Sequence, residues 1–178
     1  MENILYNDVV KFHGHSCAGL AIGFRAANIA IMSGFSKSED EELVAIVENN
    51  SCSVDAIQYI LGCTFGKGNL IFKDFGKQAF TIIKRKNGEA IRICLKPISR
   101  DKLSKDEFFN LIMKSPEDKI FFIKKFKIED SEIPIKARIF SSIICENCGE
   151  SVMETKIKFF NNQKLCIPCF TNIISIKN

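Results

Sequence analysis

No apolar run in this chain of 178 residues is long enough to cross a bilayer. The opening stretch MENILYNDVVKF begins with an acid and lacks a basic segment followed by an apolar one, so no signal peptide is expected. Internal repeats and low-complexity tracts are absent as well. Lysine and arginine form no dense stripe interleaved with aromatics, and the formal net charge of +4 is mild. Both features argue against a nucleic-acid-binding role, while leaving room for small anionic ligands. The glycine-rich stretch Gly66-Lys67-Gly68-Asn69 has the wrong spacing for a Walker motif and no Ser or Thr after its lysine. Histidine is scarce: the chain has two, and both fall within three residues of one another.

The residues that are present suit a globular protein. A hydrophobic fraction of 46% against a charged fraction of 26% supports one well-packed domain plus a small module. Cysteine is abundant at eight residues. With no export signal and two Cys-x-x-Cys pairs, reduced thiols that ligate metal are a better reading than disulfides. The expected compartment is therefore a reducing cytoplasm, with no membrane involved.

Cys145 and Cys148 form one pair, and Cys166 and Cys169 the other, with seventeen residues between the pairs. Two-residue spacing lets both thiolates of a pair reach one tetrahedral ion. A closed shell of four thiolates suits structural zinc and leaves no open position for chemistry. Gly149 permits the tight turn of a zinc knuckle, and FTNIISIK after the second pair reads as a terminal helix. The order of knuckle, hairpin and helix is that of a treble clef. Lys156, Lys158 and Lys164 surround this module, and a solvated basic face accounts for them.

Upstream, residues 2–12 carry Leu5, Val9 and Phe12 at helical spacing, and residues 20–32 suit a buried helix. LVAIV at 43–47 reads as a buried strand, and DAIQYIL as a helix opened near Ser53 and Asp55 and closed by Gly62. Residues 79–85 and 90–95 flank Asn87-Gly88, a hairpin signal. Ser104 and Glu107 fit a capping box, Pro116 starts a further helix, and residues 135–140 are strand-like. The polar stretch Ile128–Pro134 marks the boundary between a core domain, 1–134, and a finger module, 135–178.

His13, His15 and Cys17 alternate in a loop, which sends all three side chains the same way. Cys17 precedes a helix, where the backbone dipole favours a thiolate. Cys52 has the same setting at the start of the next helix. Together these four make a mixed nitrogen/sulfur site suited to zinc or another transition metal. If one of the four stays off the ion, the remaining three leave an open position of the catalytic type. Cys17 and His15 are then the candidates for any catalytic role; whether the core is an enzyme is open at this level. Cys63, in the glycine-rich loop after that helix, is a second-tier ligand, with a plain buried thiol as the alternative. Cys94, in a strand, reads as a buried thiol. The amides of residues 66–69 offer an anion site to which Lys67 adds charge, so Lys67 and Asn69 are candidate cofactor-binding residues. A tight turn before LIF is the alternative.

Three segments together, Phe12–Gly23, Cys52–Gln58 and Gly62–Leu70, resemble the FmdE family of formylmethanofuran dehydrogenase proteins. With the cysteine module, the resemblance covers nearly the whole chain. It implies an α+β protein, a mixed helix and antiparallel-sheet core followed by a treble-clef zinc finger, in a homodimer. It also implies an accessory or associated subunit of a molybdenum/tungsten formylmethanofuran dehydrogenase-type oxidoreductase, since a catalytic pterin subunit is far larger than this chain. The family's first motif usually has proline after the cysteine. This chain has Ala18, which loosens the helix entry without removing a ligand. Two other classes stay in view: a zinc-finger module that binds nucleic acid or protein, and a thiol-redox protein using Cys17 with Cys52 or Cys63.

Overall fold

A computed structural model describes residues 5–177, so residues 2–4 of the expected first helix lie outside the described residues. The chain divides between Ala137 and Arg138 into two compact units. The first begins with α1 (Tyr6–His13), α2 (Ala18–Met32), β1 (Leu43–Val47), α3 (Ser53–Leu61) and β2 (Leu70–Phe72). It continues with β3 (Ala79–Lys84), β4 (Glu89–Leu95), α4 (Lys105–Lys114), α5 (Glu117–Ile120) and β5 (Phe121–Lys127). The strands form one sheet in the order β2-β1-β3-β4-β5. Only β1 and β2 run parallel, because α3 carries the chain back across the sheet between them; the other three pairings are antiparallel.

The apolar run of β1 follows from burial on both faces of the sheet. Leu43, Ala45 and Val47 enter the main core with Phe80, Ile82, Ile91 and Ile93. Val44 turns the other way, into a smaller cluster with Ile83 and Ala90. Helices cover the first face. α2 is small or apolar on almost every side, and eight of its residues are buried. Its one cation, Arg25, donates to the carbonyls of Ile112, Met113 and Ser115 at 3.0, 2.5 and 2.9 Å, which ties the C-terminal end of α4 to α2.

Two glycines set the spacing of these helices. A Cβ at Gly23 would fall on the backbone of Ser53, so α2 and the start of α3 approach as only glycine allows. Gly62 ends α3 at φ +67°, and there a Cβ would strike the carbonyl of Ser38. The capping box is present: Ser104 Oγ accepts from the Glu107 N–H at 3.2 Å, and the Ser104 N–H donates to Glu107 Oε2 at 2.8 Å.

Two readings of the sequence change. The helix expected from Pro116 begins one residue later, with Pro116 as its N-cap, is four residues long and gives way to β5, an edge strand missed because FFIKKFK follows a helical start. Pairing with β4 and burial of Phe121 at 2% exposure favour the strand. Residues 135–140 alternate like a strand but pair with no strand among the described residues, and Ile135, Ile139 and Phe140 stay exposed.

The second unit holds β6 (Ser142–Ile144), β7 (Ser151–Met153), β8 (Ile157–Phe160), β9 (Gln163–Cys166) and α6 (Ile167–Lys177). β6 pairs with β7 and β8 with β9, giving two small hairpins followed by a helix. Its core is little more than Leu165 with Cys145, Cys166 and Cys169. No helix among the described residues is long and apolar enough to cross a membrane.

Candidate metal centre

α1 stops at Gly14, whose φ of +98° turns the chain out of the helix and leaves His13 on its last turn. The following loop carries His15 and Cys17. Tyr6 holds that loop through its hydroxyl, 3.1 Å from Ser16 Oγ, and by donating to the Cys17 carbonyl at 3.3 Å. Cys17 caps α2, its Sγ accepting the Leu20 N–H at 3.3 Å. Cys52 occupies the corresponding position before α3, with its side chain free of cap duty. Gly19 brings the two helix starts together: a Cβ there would lie 3.2 Å from Cys52 Cβ and 3.8 Å from Cys17 Sγ.

The outcome is a four-donor cluster. One donor atom from each of His13, His15, Cys17 and Cys52 lies within 4.8 Å of the other three. Nitrogen and sulfur ligands of a tetrahedral ion sit about 3.3–3.8 Å apart, so modest side-chain adjustment closes the set around zinc. The His13 and His15 rings lie 4.5 Å apart, centroid to centroid.

His13 gives the sharpest sign of what the cluster is for. Its Nδ1 lies 2.6 Å from Asp55 Oδ2 in the first turn of α3, and its Nε2 is buried with no hydrogen-bond partner. An unsatisfied buried nitrogen is costly, on the order of 1–3 kcal/mol, unless something fills its lone pair. A carboxylate on one ring nitrogen orients an imidazole for metal on the other. Burial, and next to it the neighbouring Cys17 sulfur, push the Cys52 thiol above its ordinary range; an ion would reverse that preference by replacing the proton.

The loop before α3 is fixed by a polar network. Asn49 Oδ1 accepts from the Ser51 hydroxyl at 2.8 Å, and the Ser53 hydroxyl lies between two acceptors, 2.9 Å from Gln78 Oε1 and 3.1 Å from Asn49 Oδ1, with one proton to give. Cys52 lies in the chain between two of its members, Ser51 and Ser53. Sequence reasoning missed both Asp55, read only as a helix opener, and this scaffold. An acid three residues after Cys52, on the same turn of helix, was the available signal for the former.

Cys63 lies elsewhere. It is fully buried beyond the far end of α3, outside the four-donor cluster, and burial pushes its thiol up to about 12. The polar groups of Lys67 and Asn69 are engaged in local structure. Lys67 Nζ donates to the Asp40 carbonyl at 3.0 Å. Buried Asn69 donates to Leu43 O at 3.1 Å and accepts from the Thr64 N–H at 2.9 Å. Both residues tie the 64–69 loop to the entry of β1, which fits the turn reading.

In the second unit, Cys145, Cys148, Cys166 and Cys169 likewise gather within 4.8 Å. The backbone N–H groups of Cys148 and Cys166 hold the Cys145 thiol down to about 6, the latter through an N–H to Sγ distance of 3.2 Å. Asn147 Nδ2 donates to Cys169 Sγ at 3.2 Å. The Cys145 sulfur, which accepts several N–H groups, is thereby prepared to be a thiolate, the form that binds zinc.

The fold and these donor sets define a metal-binding α+β protein with a C-terminal four-cysteine zinc finger. The family model described as FmdE, Molybdenum formylmethanofuran dehydrogenase operon, matches residues 12–130. The chain belongs to this FmdE family. A second model, the prokaryotic dksA/traR C4-type zinc finger, matches residues 138–172. A relative from Archaeoglobus fulgidus, named a probable S-adenosyl-L-methionine-binding protein, is 36% identical over 189 residues, covering 89% of this chain and 50% of that protein. The chain thus spans about half the length of the curated relative it matches. The crystal structure of a tungsten formylmethanofuran dehydrogenase FmdE-like protein from Syntrophus aciditrophicus shares the fold, with a TM-score of 0.70 at 23% identity over 94% of this chain and 92% of that one.

Proposed function

We propose that the chain holds a transition-metal ion, zinc in the first instance, in the core through His13, His15, Cys17 and Cys52. In this reading a structural zinc sits separately in the finger, arranged as a treble clef. The protein then acts as an accessory or associated subunit of a molybdenum/tungsten formylmethanofuran dehydrogenase-type oxidoreductase, as a homodimer in the cytoplasm. One observation carries the core site: His13, a member of the four-donor cluster, has its Nδ1 on Asp55 and its Nε2 buried without a hydrogen-bond partner. The association with a dehydrogenase rests on family membership.

An ion there would supply Lewis acidity. The chain's own residues supply the rest. Asp55 holds the His13 ring, Cys17 and Cys52 each stand at a helix start, and half-exposed packing leaves the site reachable through His15, the one exposed donor. Raised protonation of Cys52 in the absence of an ion speaks against the thiol-redox reading.

The test is metal content. Purified protein is expected to hold two ions per chain, and the double change Cys17→Ser, Cys52→Ser to remove one and leave the finger's zinc. Unchanged metal content would defeat the core site. Affinity purification from cells that express the dehydrogenase tests the association, and recovery of this chain without any dehydrogenase component would count against it.

A second reading comes from the Archaeoglobus relative, whose similarity spans most of this chain: the core binds S-adenosylmethionine. Equilibrium dialysis against labelled S-adenosylmethionine decides it, and no retention would set it aside.

A further inference from the structure

A cavity of about 890 Å³ opens against Cys17 in the first unit. That is the size of a small-molecule site. Ser16, Cys17, Ala18 and Gly19 form one wall, and Arg100 with the start of α4 the other. The α4 side contributes an apolar lining of Leu103, Phe108 and Phe109, of which Phe108 is buried.

The charge around this apolar floor has one sign in excess. Arg100 and Lys105 face a single acid, Asp106. The Arg100 guanidinium lies 3.9 Å above the centre of the Phe108 ring, and no carboxylate among the described residues pairs with it. A guanidinium held over an aromatic ring, with no carboxylate partner, keeps N–H groups available for an oxyanion. The first turn of the 15-residue α2 also faces the cavity. Its Ala18 and Gly19 N–H groups have no intrahelical acceptor, and their end of the helix dipole favours negative charge.

We propose that this cavity binds a small organic anion with a flat apolar body. The body lies on Leu103, Phe108 and Phe109, and the acid group meets Arg100. Because Cys17 borders both the cavity and the four-donor cluster, the bound molecule lies next to the ion of the proposed core site; that adjacency, unlike the binding itself, rests on the metal reading above. None of the residues that recognise the anion is among the metal ligands apart from the bordering Cys17.

The probe is benzoate, with benzyl alcohol as its neutral counterpart, titrated into the full chain and followed by amide chemical shifts. Benzoate is expected to bind with a dissociation constant on the order of 1 mM, ordinary for so small a ligand. Benzyl alcohol should bind about tenfold more weakly. Shifts should concentrate at Ala18, Gly19 and residues 103–109. Arg100→Gln, at an exposed position, should weaken benzoate about tenfold and leave benzyl alcohol unchanged. Equal affinity for the two probes, an unchanged Arg100→Gln titration, or shifts centred elsewhere would overturn the proposal. Metal is measured in the same sample. Two ions without benzoate binding defeats the cavity proposal alone; one ion with benzoate binding intact defeats the core-metal reading alone.

Discussion

His13 Nδ1 and Asp55 Oδ2 meet at 2.6 Å across 42 residues of sequence, joining the last turn of α1 to the first turn of α3. The contact does two things. It holds the ring through Nδ1, and it leaves Nε2 buried and without a hydrogen-bond partner on a histidine that clusters with His15, Cys17 and Cys52. Gln58 Nε2 donates to the other carboxylate oxygen at 3.3 Å, so the acid is itself held in place.

Asp55→Asn therefore changes charge and hydrogen bonding with little change of shape. In the proposed core site, loss of the carboxylate behind His13 should lower metal affinity about 10- to 100-fold. Competition with a chelator should show that loss for the core ion and none for the finger ion. Equal loss at both sites, or none at either, would contradict the role given to Asp55.

Gly23→Ala separates two opposed effects. In an isolated helix, alanine is better than glycine by about 1 kcal/mol. Here the new methyl meets the Ser53 backbone, which cannot swing aside as a side chain would. Overpacking costs about 1–3 kcal/mol in ordinary cores, and a clash with backbone belongs at or above the upper end. The net expectation is destabilisation of about 2 kcal/mol or more in urea unfolding. A stabilised variant would mean that α2 and α3 are not packed this closely.

Cys63 predicts an alkaline effect. Burial pushes its thiol up to about 12, from an ordinary value of 9.0. A raised value means the folded protein holds this proton longer than the unfolded chain does. The stability it contributes is complete below pH about 9 and is lost as pH rises toward 12. Unfolding free energy measured across that window should fall more steeply in the parent than in Cys63→Ala, once the constant loss from the smaller side chain is subtracted. Native Cys63 should also resist iodoacetamide at about pH 8, where an ordinary exposed thiol reacts, and should react after denaturation. Ready alkylation in the native state would show that it is not sealed in.

Much of this organisation is legible in the sequence because it is local. Gly62 and Ser104 mark helix ends by rules that act within four residues, and LVAIV reads as a doubly buried strand without reference to its partners. His13, His15 and Cys17 stand out by alternation, and Cys52 by its place before a helix. What stays hidden depends on register between distant segments. Asp55 gains its role only once α1 ends against α3. Gly23 is one more small residue in a helix of small residues until Ser53 arrives beside it. β5 is recognisable only when β4 offers an edge, and residues 135–140 show the converse, since alternation without a partner makes no strand. Phe108 and Phe109 look like ordinary helix residues, and their cavity appears only when α4 faces the start of α2.

The finger supplies the last expectation, because its apolar core is too small to hold it. Leu165 and three buried cysteines anchor the cluster, with partial help from Val152, Phe160, Phe170 and Ile173. So few buried side chains cannot offset the entropy of ordering some forty residues. Four thiolates on zinc can, since apparent binding energies in small zinc modules reach about 10–16 kcal/mol at neutral pH. Cys166→Ser with Cys169→Ser should therefore unfold residues 138–178 while the first unit, with its own large core, stays folded. Limited proteolysis reads this directly: the variant should lose its C-terminal segment early and leave a resistant fragment that ends near Ala137, and a strong chelator should do the same to the parent. Survival of the intact finger in the zinc-free variant would mean that its hairpins and α6 are stabilised by something other than the metal.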